Sequence, residues 1–391
     1  ERIRAVRTFG HMSTTMTTDR AEELLARVAA IGPEIASHAA AHDRDGTFVR
    51  EGLDLVRDAG LLAAAVPAEL GGGGATIREV AAIQRRLAHY CGSTALATAM
   101  HQHVTAFTAW RYRRDLPGAE ATLRRIATEG IVLVSTGGAD LTRPRGDARK
   151  VDGGYLVSGQ KVFASQSPVG AVMSTMFRYD DPEQGERVLN LSVPFASEGV
   201  RVLDNWDTLG MRGTGSNDVV LEDVFVPDER VLANRPHGTI DPPLQVILSI
   251  AMPIISAVYL GVAEAAYRAA VDWAALRADD PATQRQIGLM SHRLQIADLA
   301  LEGALDAVGD DPQPSVERVA AAMAAKREIA LAGVDVCDIA MEVGGGAAFF
   351  KGSVIERAYR DVRGAKYHPM TPEQTLTHAG RLELGLPVDQ F

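Results

Sequence analysis

The sequence predicts a mainly α-helical protein with a β domain in the middle of the chain. Three observations lead to this prediction. Apolar residues recur at three- and four-residue spacing over residues 18–130, short runs of β-branched and aromatic residues fill residues 131–236, and helical periodicity returns over residues 237–391. We therefore predict an N-terminal helical domain, a central β domain and a C-terminal four-helix bundle with these boundaries, after a short tail of residues 1–17.

Composition and charge narrow the class of protein. The 391 residues, 46% apolar and 23% charged, are typical of a soluble globular chain with a large core. The formal net charge of −10, without a basic block, argues against nucleic-acid binding, because such proteins concentrate Lys and Arg on one face. Cys91 and Cys337 share no spacing typical of a disulfide framework or a metal site, which favours a reducing cytoplasm and no bound metal.

The N-terminal region predicts helices. Leu24, Val28 and Ile31 fall on one face of the first helix. Four consecutive glycines at residues 71–74 interrupt the pattern, and Thr76 is a typical N-cap for the helix that follows. The tripeptide GHM at residues 10–12 is typical of vector-derived sequence before a native start, so residues 1–17 are set aside as a vector-derived or disordered tail.

The middle region predicts strands. Residues 131–135, 155–163, 172–179, 188–194 and 219–226 are rich in β-branched and aromatic residues, and turn sequences such as VDGG and DDPE separate them. No helical pattern lies between them. Strands at this spacing predict an antiparallel barrel or sandwich.

The C-terminal region predicts three or four long helices. A Pro- and Gly-rich linker at residues 234–243 precedes them, and breaks are expected at residues 309–312 and at the triple glycine of residues 344–346. The most apolar stretch, residues 246–262, contains two serines and a proline. We interpret it as a buried core helix, since a membrane span needs about 20 mainly apolar residues in a row.

Three motifs carry a resemblance to a known family. They are GQKVF at residues 159–163, WDTLGMRGTGSNDVVLEDVFVP at residues 206–227, and IERAYRDVRGAKYH at residues 355–368, which follows the triple glycine. In this order, and with helices before and after the strands, they resemble the acyl-CoA dehydrogenase superfamily. The resemblance implies that family's three-domain fold and a flavin bound between the β domain and the C-terminal bundle. The charges of the last motif we interpret as a surface ion-pair network without a catalytic role.

The resemblance assigns residues to the flavin ring. Phe163 and Ser165 follow the GQKVF strand, where the family places the ring, and the Ser165 hydroxyl corresponds to a group near flavin N5. The alternative is that Ser165 only ends a strand. Ser135 and Thr136 correspond to a second strand end that contacts the flavin.

The resemblance is weaker for the residues that contact the dinucleotide end of FAD. The turn that makes this contact in the family corresponds to Gly344, Gly345 and Gly346, although such glycines also end helices. Its pyrophosphate-binding arginine corresponds to Arg277. Two aspartates follow Arg277 at residues 279 and 280, and their charge would repel a phosphate. The cofactor is therefore left open as FAD or FMN, including reduced flavin delivered by a separate reductase.

Two departures from the family bear on the reaction. Where dehydrogenases carry a Tyr-Glu-Gly turn with the catalytic base, this chain has Tyr367, His368 and Pro369. Where they carry a D-x-x-R pair beside the CoA thioester, residues 248–253 read LSIAMP. Glu373, one or two turns further on, is the candidate for a displaced base.

With a histidine at this position, the chain resembles a different branch of the superfamily. Flavin-dependent monooxygenases similar to dibenzothiophene monooxygenase and the amino-sugar N-oxygenases often carry it, with a serine after K-x-F and a histidine in the N-terminal domain. The resemblance implies that Ser165 and His368 act on a flavin hydroperoxide formed from reduced flavin and O2, and that His101 or His103 assists. An imidazole that titrates near neutrality suits this role. Because the two N-terminal histidines are two residues apart on a helix, only one can face the site.

Three functions stay open from the sequence. The first is monooxygenation of a small organic substrate, the second is dehydrogenation of an acyl-CoA or carrier-bound acyl group with an atypical base, and the third is a catalytically silent flavoprotein or assembly subunit. The missing glutamate and CoA-recognising charges favour the first. Alanine-rich helices at residues 257–275 and 320–332 further predict a homotetramer built as a dimer of dimers.

Overall fold

The computed structural model describes residues 19–138 and 140–388. The predicted tail, residues 1–17, lies outside them. Within the described residues, the predicted order of helices, strands and helices is confirmed.

The N-terminal region forms a helical layer. Thr76 caps the third helix as expected, and a reciprocal hydrogen bond from its own N–H to the Glu79 side chain completes a capping box. The fourth helix is buried on nearly all sides, which explains why its sequence lacks a clear apolar stripe. The five helices of this layer are α1 (Asp19–Asp45), α2 (Arg50–Asp58), α3 (Ile77–Ala88), α4 (Gly92–Tyr112) and α5 (Ala119–Glu129).

The central region forms one eight-stranded sheet with the order β6-β7-β3-β2-β4-β5-β8 and with β1 paired to β4. The strands are β1 (Leu133–Ser135), β2 (Asp147–Val151), β3 (Gly154–Lys161), β4 (Val172–Asp181), β5 (Gly185–Pro194), β6 (Val200–Val202), β7 (Val219–Pro227) and β8 (Val231–Pro236). Most pairings are antiparallel as predicted, whereas β1 and β2 both run parallel to β4. The prediction of a purely antiparallel sheet is wrong there, because long connections return the chain to β4 in the same direction.

The C-terminal region consists of three long helices and two short ones within the described residues. They are α6 (Pro242–Ala274), α7 (Pro281–Val308), α8 (Val316–Ala348), α9 (Val354–Asp361) and α10 (Pro372–Glu383). The break expected at residues 309–312 is confirmed. The break expected at the triple glycine is only a kink inside α8, where Gly345 has φ 57° and ψ −148°.

Helix α6 is the core helix that the sequence predicted. By length and composition the helix that includes it could cross a membrane, but 94% of its most apolar window is buried inside the protein. It packs against α3 and α4 of the N-terminal layer and against α7, α8 and α9 of the C-terminal region. The helix therefore joins the N-terminal layer to the bundle and forms a wall at the centre of the molecule.

Candidate active site between the sheet and the helical bundle

A cavity of about 500 Å³ lies where the sheet meets the helices. Two helices form its mainly apolar walls. Helix α4 contributes Leu96, Met100 and His103, which are four and three residues apart and so share one face. Helix α6 contributes a longer row with the same periodicity, which includes Leu244, Leu248, Ala251, Ile255 and Tyr259.

Two aromatic rings form part of the wall that belongs to the β domain. Phe163 and Trp206 meet edge to face with ring centroids 6.0 Å apart. Phe163 is 52% exposed although it lines the cavity. The indole of Trp206 is held by a 3.1 Å hydrogen bond from its Nε1 to the Met211 carbonyl. A large ring left uncovered inside a cavity offers a stacking surface to a flat ligand.

Three hydroxyls form a chain along the same wall. Ser165 Oγ lies 2.8 Å from Ser216 Oγ, and Ser216 Oγ lies 2.7 Å from Thr214 Oγ1. Thr214 in turn donates to the Met211 carbonyl at 3.0 Å. Two backbone hydrogen bonds, of 3.2 and 3.0 Å, join the turn after β3 to the loop before β7 and so hold these hydroxyls in register. All three hydroxyl side chains belong to residues that line the cavity.

His368 and Tyr259 form a pair on the side of the bundle. His368 Nε2 lies 2.7 Å from the Tyr259 hydroxyl. Burial lowers the pKa of His368 to about 3, with smaller contributions from the charges of Lys326 and His103, and burial raises the pKa of Tyr259 well above its ordinary value. Both side chains are therefore uncharged at neutral pH. The prediction that His368 titrates near neutrality is wrong, because its surroundings do not solvate an imidazolium.

Only one of the two N-terminal histidines lines the cavity. It is His103, whose Nδ1 lies 3.1 Å from the Ala99 carbonyl and so carries the proton, which makes Nε2 an acceptor. Burial lowers the pKa of His103 to about 4. His101 uses both ring nitrogens on the backbone, at 3.0 Å from the Leu62 carbonyl and 3.0 Å from the Leu133 N–H. It ties α4 to its neighbours, and it does not line the cavity.

A buried amine supports the segment that carries His368. Lys326, on α8, is 3% exposed, and its Nζ donates to the Met370 carbonyl at 2.6 Å. Burial lowers the pKa of Lys326 to about 8. Helix α8 thereby fixes the position of the chain two residues after His368.

Helix α9 attaches the bundle to the β domain. Asp361 accepts a hydrogen bond of 2.5 Å from the Met211 N–H, and burial raises the pKa of Asp361 to about 6. The adjacent Arg360 forms ion pairs with Asp43 of α1 at 2.6 Å and with Glu356 at 2.5 Å. The side chains of Arg360 and Asp43 are each 14% exposed. The interpretation of this motif as a surface network is therefore wrong, since it joins three parts of the chain below the surface.

Several predicted site residues lie outside the cavity lining. Thr136 is buried and donates to the Thr175 hydroxyl at 2.8 Å. Arg277 donates to the Val343 carbonyl. At the kink in α8, a Cβ on Gly344 would come within 2.5 Å of the Trp273 ring, so packing alone requires glycine there. Gly345 and Gly346 are likewise absent from the lining.

The remaining predicted residues are brought together. Ser135, Phe163, Ser165, His103 and His368 all line the cavity, although they come from all three regions of the chain. Glu373, the candidate for a displaced base, is exposed on α10 and does not line it.

Other polar and aromatic groups of the site were missed at the level of sequence. Trp206, Thr214 and Ser216 lie inside the motif at residues 206–227, so the motif itself could have indicated them. Tyr259 lies within an apolar stretch and its hydroxyl has no local partner, which is a usable signal for a buried polar contact. Lys326 has no such signal, because its position depends on how α8 packs against residue 370.

Comparison with known proteins agrees with this architecture. The chain matches the acyl-CoA dehydrogenase N-terminal domain at residues 18–113, the middle domain at residues 135–224 and the C-terminal domain at residues 253–373. These matches follow the three regions of the fold in order, and the chain belongs to the acyl-CoA dehydrogenase superfamily.

Particular relatives point to different activities. The amino sugar nitrososynthase RubN8 of Streptomyces rubradiris is 31% identical over 96% of this chain and 93% of its own length. YdbM of Bacillus subtilis (strain 168), named provisionally as an acyl-CoA dehydrogenase, is 29% identical over 92% of this chain and 96% of its own length. The structure of KijD3 in complex with FMN and an amino-keto sugar nucleotide has a TM-score of 0.85 and 30% identity, and covers 95% of each chain.

Proposed function

We propose that this protein is a flavin-dependent monooxygenase that uses reduced flavin and O2 to oxidise a small, largely apolar organic molecule. One observation carries the proposal. Across the described residues, the cavity combines an uncovered aromatic pair, a serine hydroxyl and two neutral histidines with a lining that contains no Asp or Glu.

The residues present fit a flavin. Phe163 and Trp206 offer ring surface to the isoalloxazine, and the hydroxyls of Ser165 and Ser135 are among the polar groups on that wall. When bound, reduced flavin supplies the electrons that activate O2. His368 and Tyr259 hold a proton between two uncharged groups at 2.7 Å, and the apolar residues of α4 and α6 exclude water. Arg277 and the triple glycine add nothing to this wall, so a mononucleotide is sufficient.

Dehydrogenation of an acyl-CoA has less support. That reaction requires a base of suitable pKa beside the substrate α-carbon. His368, with its pKa lowered to about 3, is too weak a base, and Glu373 is exposed away from the cavity. The oxygenase therefore fits the chemistry of the cavity better.

The lining also favours an uncharged substrate. Two arginines reach the cavity, but Arg360 is paired with Asp43 and Glu356, and the charge of Arg363 is balanced by Asp338, to which its Nη2 donates at 2.8 Å. The buried Nη1 of Arg363 has no hydrogen-bond partner among the described residues. The helical walls are apolar. A small ring or alkyl compound matches this lining better than a charged one does.

We further propose a cytoplasmic homotetramer supplied by a separate flavin reductase. Large apolar side chains are exposed along α7 and after α8, namely Leu289, Ile296, Leu299, Phe349 and Phe350. Contact with further copies would cover them. A cavity of about 500 Å³ is of the size that holds a flavin ring and one small substrate. We therefore assign the reduction of the flavin to another protein. Sedimentation as a monomer at micromolar concentration would contradict the tetramer.

The experiment that separates the two enzymes is anaerobic. Protein loaded with oxidised FMN or FAD is mixed with butyryl-CoA or octanoyl-CoA. The absorbance of the oxidised flavin ring, near about 450 nm, is then followed. The proposal predicts no bleaching, because no carboxylate base lines the described part of the cavity and its two arginines are engaged with Asp43, Glu356 and Asp338. Rapid bleaching would establish a dehydrogenase instead.

A further inference from the structure

Hydrogen-bond counting gives the hydroxyl chain a direction. Thr214 has a single hydroxyl hydrogen, and its 3.0 Å neighbour is the Met211 carbonyl, which can only accept. The same carbonyl also accepts from Trp206 Nε1 at 3.1 Å and from the Thr214 N–H at 3.2 Å. We assign the Thr214 hydroxyl hydrogen to this carbonyl, so that Ser216 donates to Thr214 across 2.7 Å and Ser165 donates to Ser216 across 2.8 Å. In the reverse order, Ser165 would donate to the ligand.

The consequence at the cavity wall is a hydrogen-bond acceptor. Ser165 uses its only hydrogen on Ser216, so its oxygen presents lone pairs to a ligand. The three hydroxyl residues are buried, with Thr214 fully so, which keeps water from reorienting the chain. A ligand N–H is stabilised at this oxygen, whereas a bare nitrogen lone pair is repelled.

We propose that Thr214 and Ser216 are positioning residues that make the Ser165 oxygen an acceptor and thereby favour reduced over oxidised flavin. The reduced isoalloxazine carries an N–H at its position 5, and the oxidised ring has a lone pair there instead. The inference rests on the proposed function, because it requires a flavin in this cavity. It would let the protein select its cofactor by redox state.

The test compares the dissociation constant of oxidised FMN with that of reduced FMN, and the second constant is measured anaerobically. Thr214→Val keeps the side-chain shape but removes the acceptor that orients Ser216, and Ser216→Ala removes the acceptor for Ser165. We expect the wild-type protein to bind reduced FMN more tightly. The dissociation constant of oxidised FMN divided by that of reduced FMN should fall about tenfold in either variant, as expected for the loss of one hydrogen bond. This change corresponds to about 30 mV in the potential of the bound flavin.

Two further variants serve as controls. Thr214→Ser retains the hydroxyl and should retain the wild-type ratio. Ser167→Ala removes a buried hydroxyl from the same turn, one that donates to the Gly215 carbonyl at 3.1 Å and does not line the cavity, so the ratio should not change.

The outcomes distinguish the two proposals. A wild-type ratio in both Thr214→Val and Ser216→Ala would overturn the directional chain and leave the proposed function standing. A wild-type protein that binds neither FMN nor FAD, in either redox state, would overturn both. If Thr214→Val does not fold, the ratio measured with Ser216→Ala decides.

Discussion

At the scale of single residues, the chemistry depends on side chains that burial keeps neutral. His368 has its pKa lowered to about 3 and His103 to about 4, while the Tyr259 hydroxyl stays protonated because burial raises its pKa. Tyr259 and His368 can then share a hydrogen bond of 2.7 Å without a charged resting state in an apolar cavity. This differs from the pH-switch role that an exposed histidine would have.

The first prediction concerns His368. Replacement by Ala removes a neutral, positioned hydrogen-bonding group from the cavity, so turnover should fall by about 10²- to 10³-fold, and a larger share of the electrons should appear as H2O2. Tyr259→Phe removes only the 2.7 Å hydrogen bond and should cause a smaller loss. Coupled oxygen consumption and peroxide assays give both numbers.

Glu373→Gln is the matched control, because Glu373 is exposed and outside the cavity. It should leave turnover unchanged. Full activity in His368→Ala, together with loss of activity in Glu373→Gln, would transfer the catalytic role to the carboxylate.

At the scale of elements, the site depends on how α9 docks against the loop before β7. Asp361 accepts from the Met211 N–H, and the Met211 carbonyl in turn accepts from Trp206 and Thr214. The backbone of one residue, Met211, thus connects the bundle to both the aromatic wall and the hydroxyl chain. A change at this contact should therefore reach the flavin site.

The second prediction concerns this contact. In Asp361→Ala the buried Met211 N–H loses its acceptor, so the free energy of unfolding should fall by about 1–3 kcal/mol, and FMN binding should weaken with it. Asp361→Asn keeps an acceptor oxygen and should lie close to wild type. Urea unfolding and FMN titration measure the two effects. An Asp361→Ala protein with wild-type stability and affinity would show that the contact carries neither.

The same scale shows what the sequence could predict. Helical periodicity and strand composition are local, so the three regions and the core helix α6 were predicted correctly. Strand β2, with the sequence DARKV, and strand β6, with VRV, are too short and charged to stand out. The kink in α8 differs from the expected break because Trp273 packs on Gly344 and the helix resumes beyond it. The partners of His368 depend on tertiary packing, which a local pattern does not contain.

At the scale of the whole molecule, buried titratable groups couple stability to pH. Burial lowers the pKa values of His101 and His103 to about 4 and that of His368 to about 3, from an ordinary 6.5. Below pH 6.5 the unfolded chain binds these protons and the folded protein does not, so stability is lost as pH falls. Asp361 opposes them, since its pKa is raised to about 6 and the folded state binds its proton first.

The third prediction follows from that balance. These three histidines and this aspartate contribute a net uptake of about two protons on unfolding, which lowers the free energy of unfolding by about 2–3 kcal/mol per pH unit between about pH 6 and pH 4.5. The lowered pKa values of His89 and His378 add to this slope, and the raised pKa of Asp241 opposes it. Denaturant unfolding at several pH values measures the slope. His103→Gln should reduce it by about 1.4 kcal/mol per unit. A stability that is independent of pH over this range would contradict the buried, neutral state of these side chains.

The most direct test of the central claim is the fate of molecular oxygen. Purified protein, FMN, NADH and a flavin reductase are incubated under ¹⁸O2 with uncharged apolar probes such as indole and 4-ethylphenol, and products are analysed by mass spectrometry. The cavity described above predicts a product that carries one ¹⁸O atom and is lost in His368→Ala. Electrons that pass entirely to H2O2 with every probe, while an acyl-CoA is oxidised without incorporation of label, would contradict it.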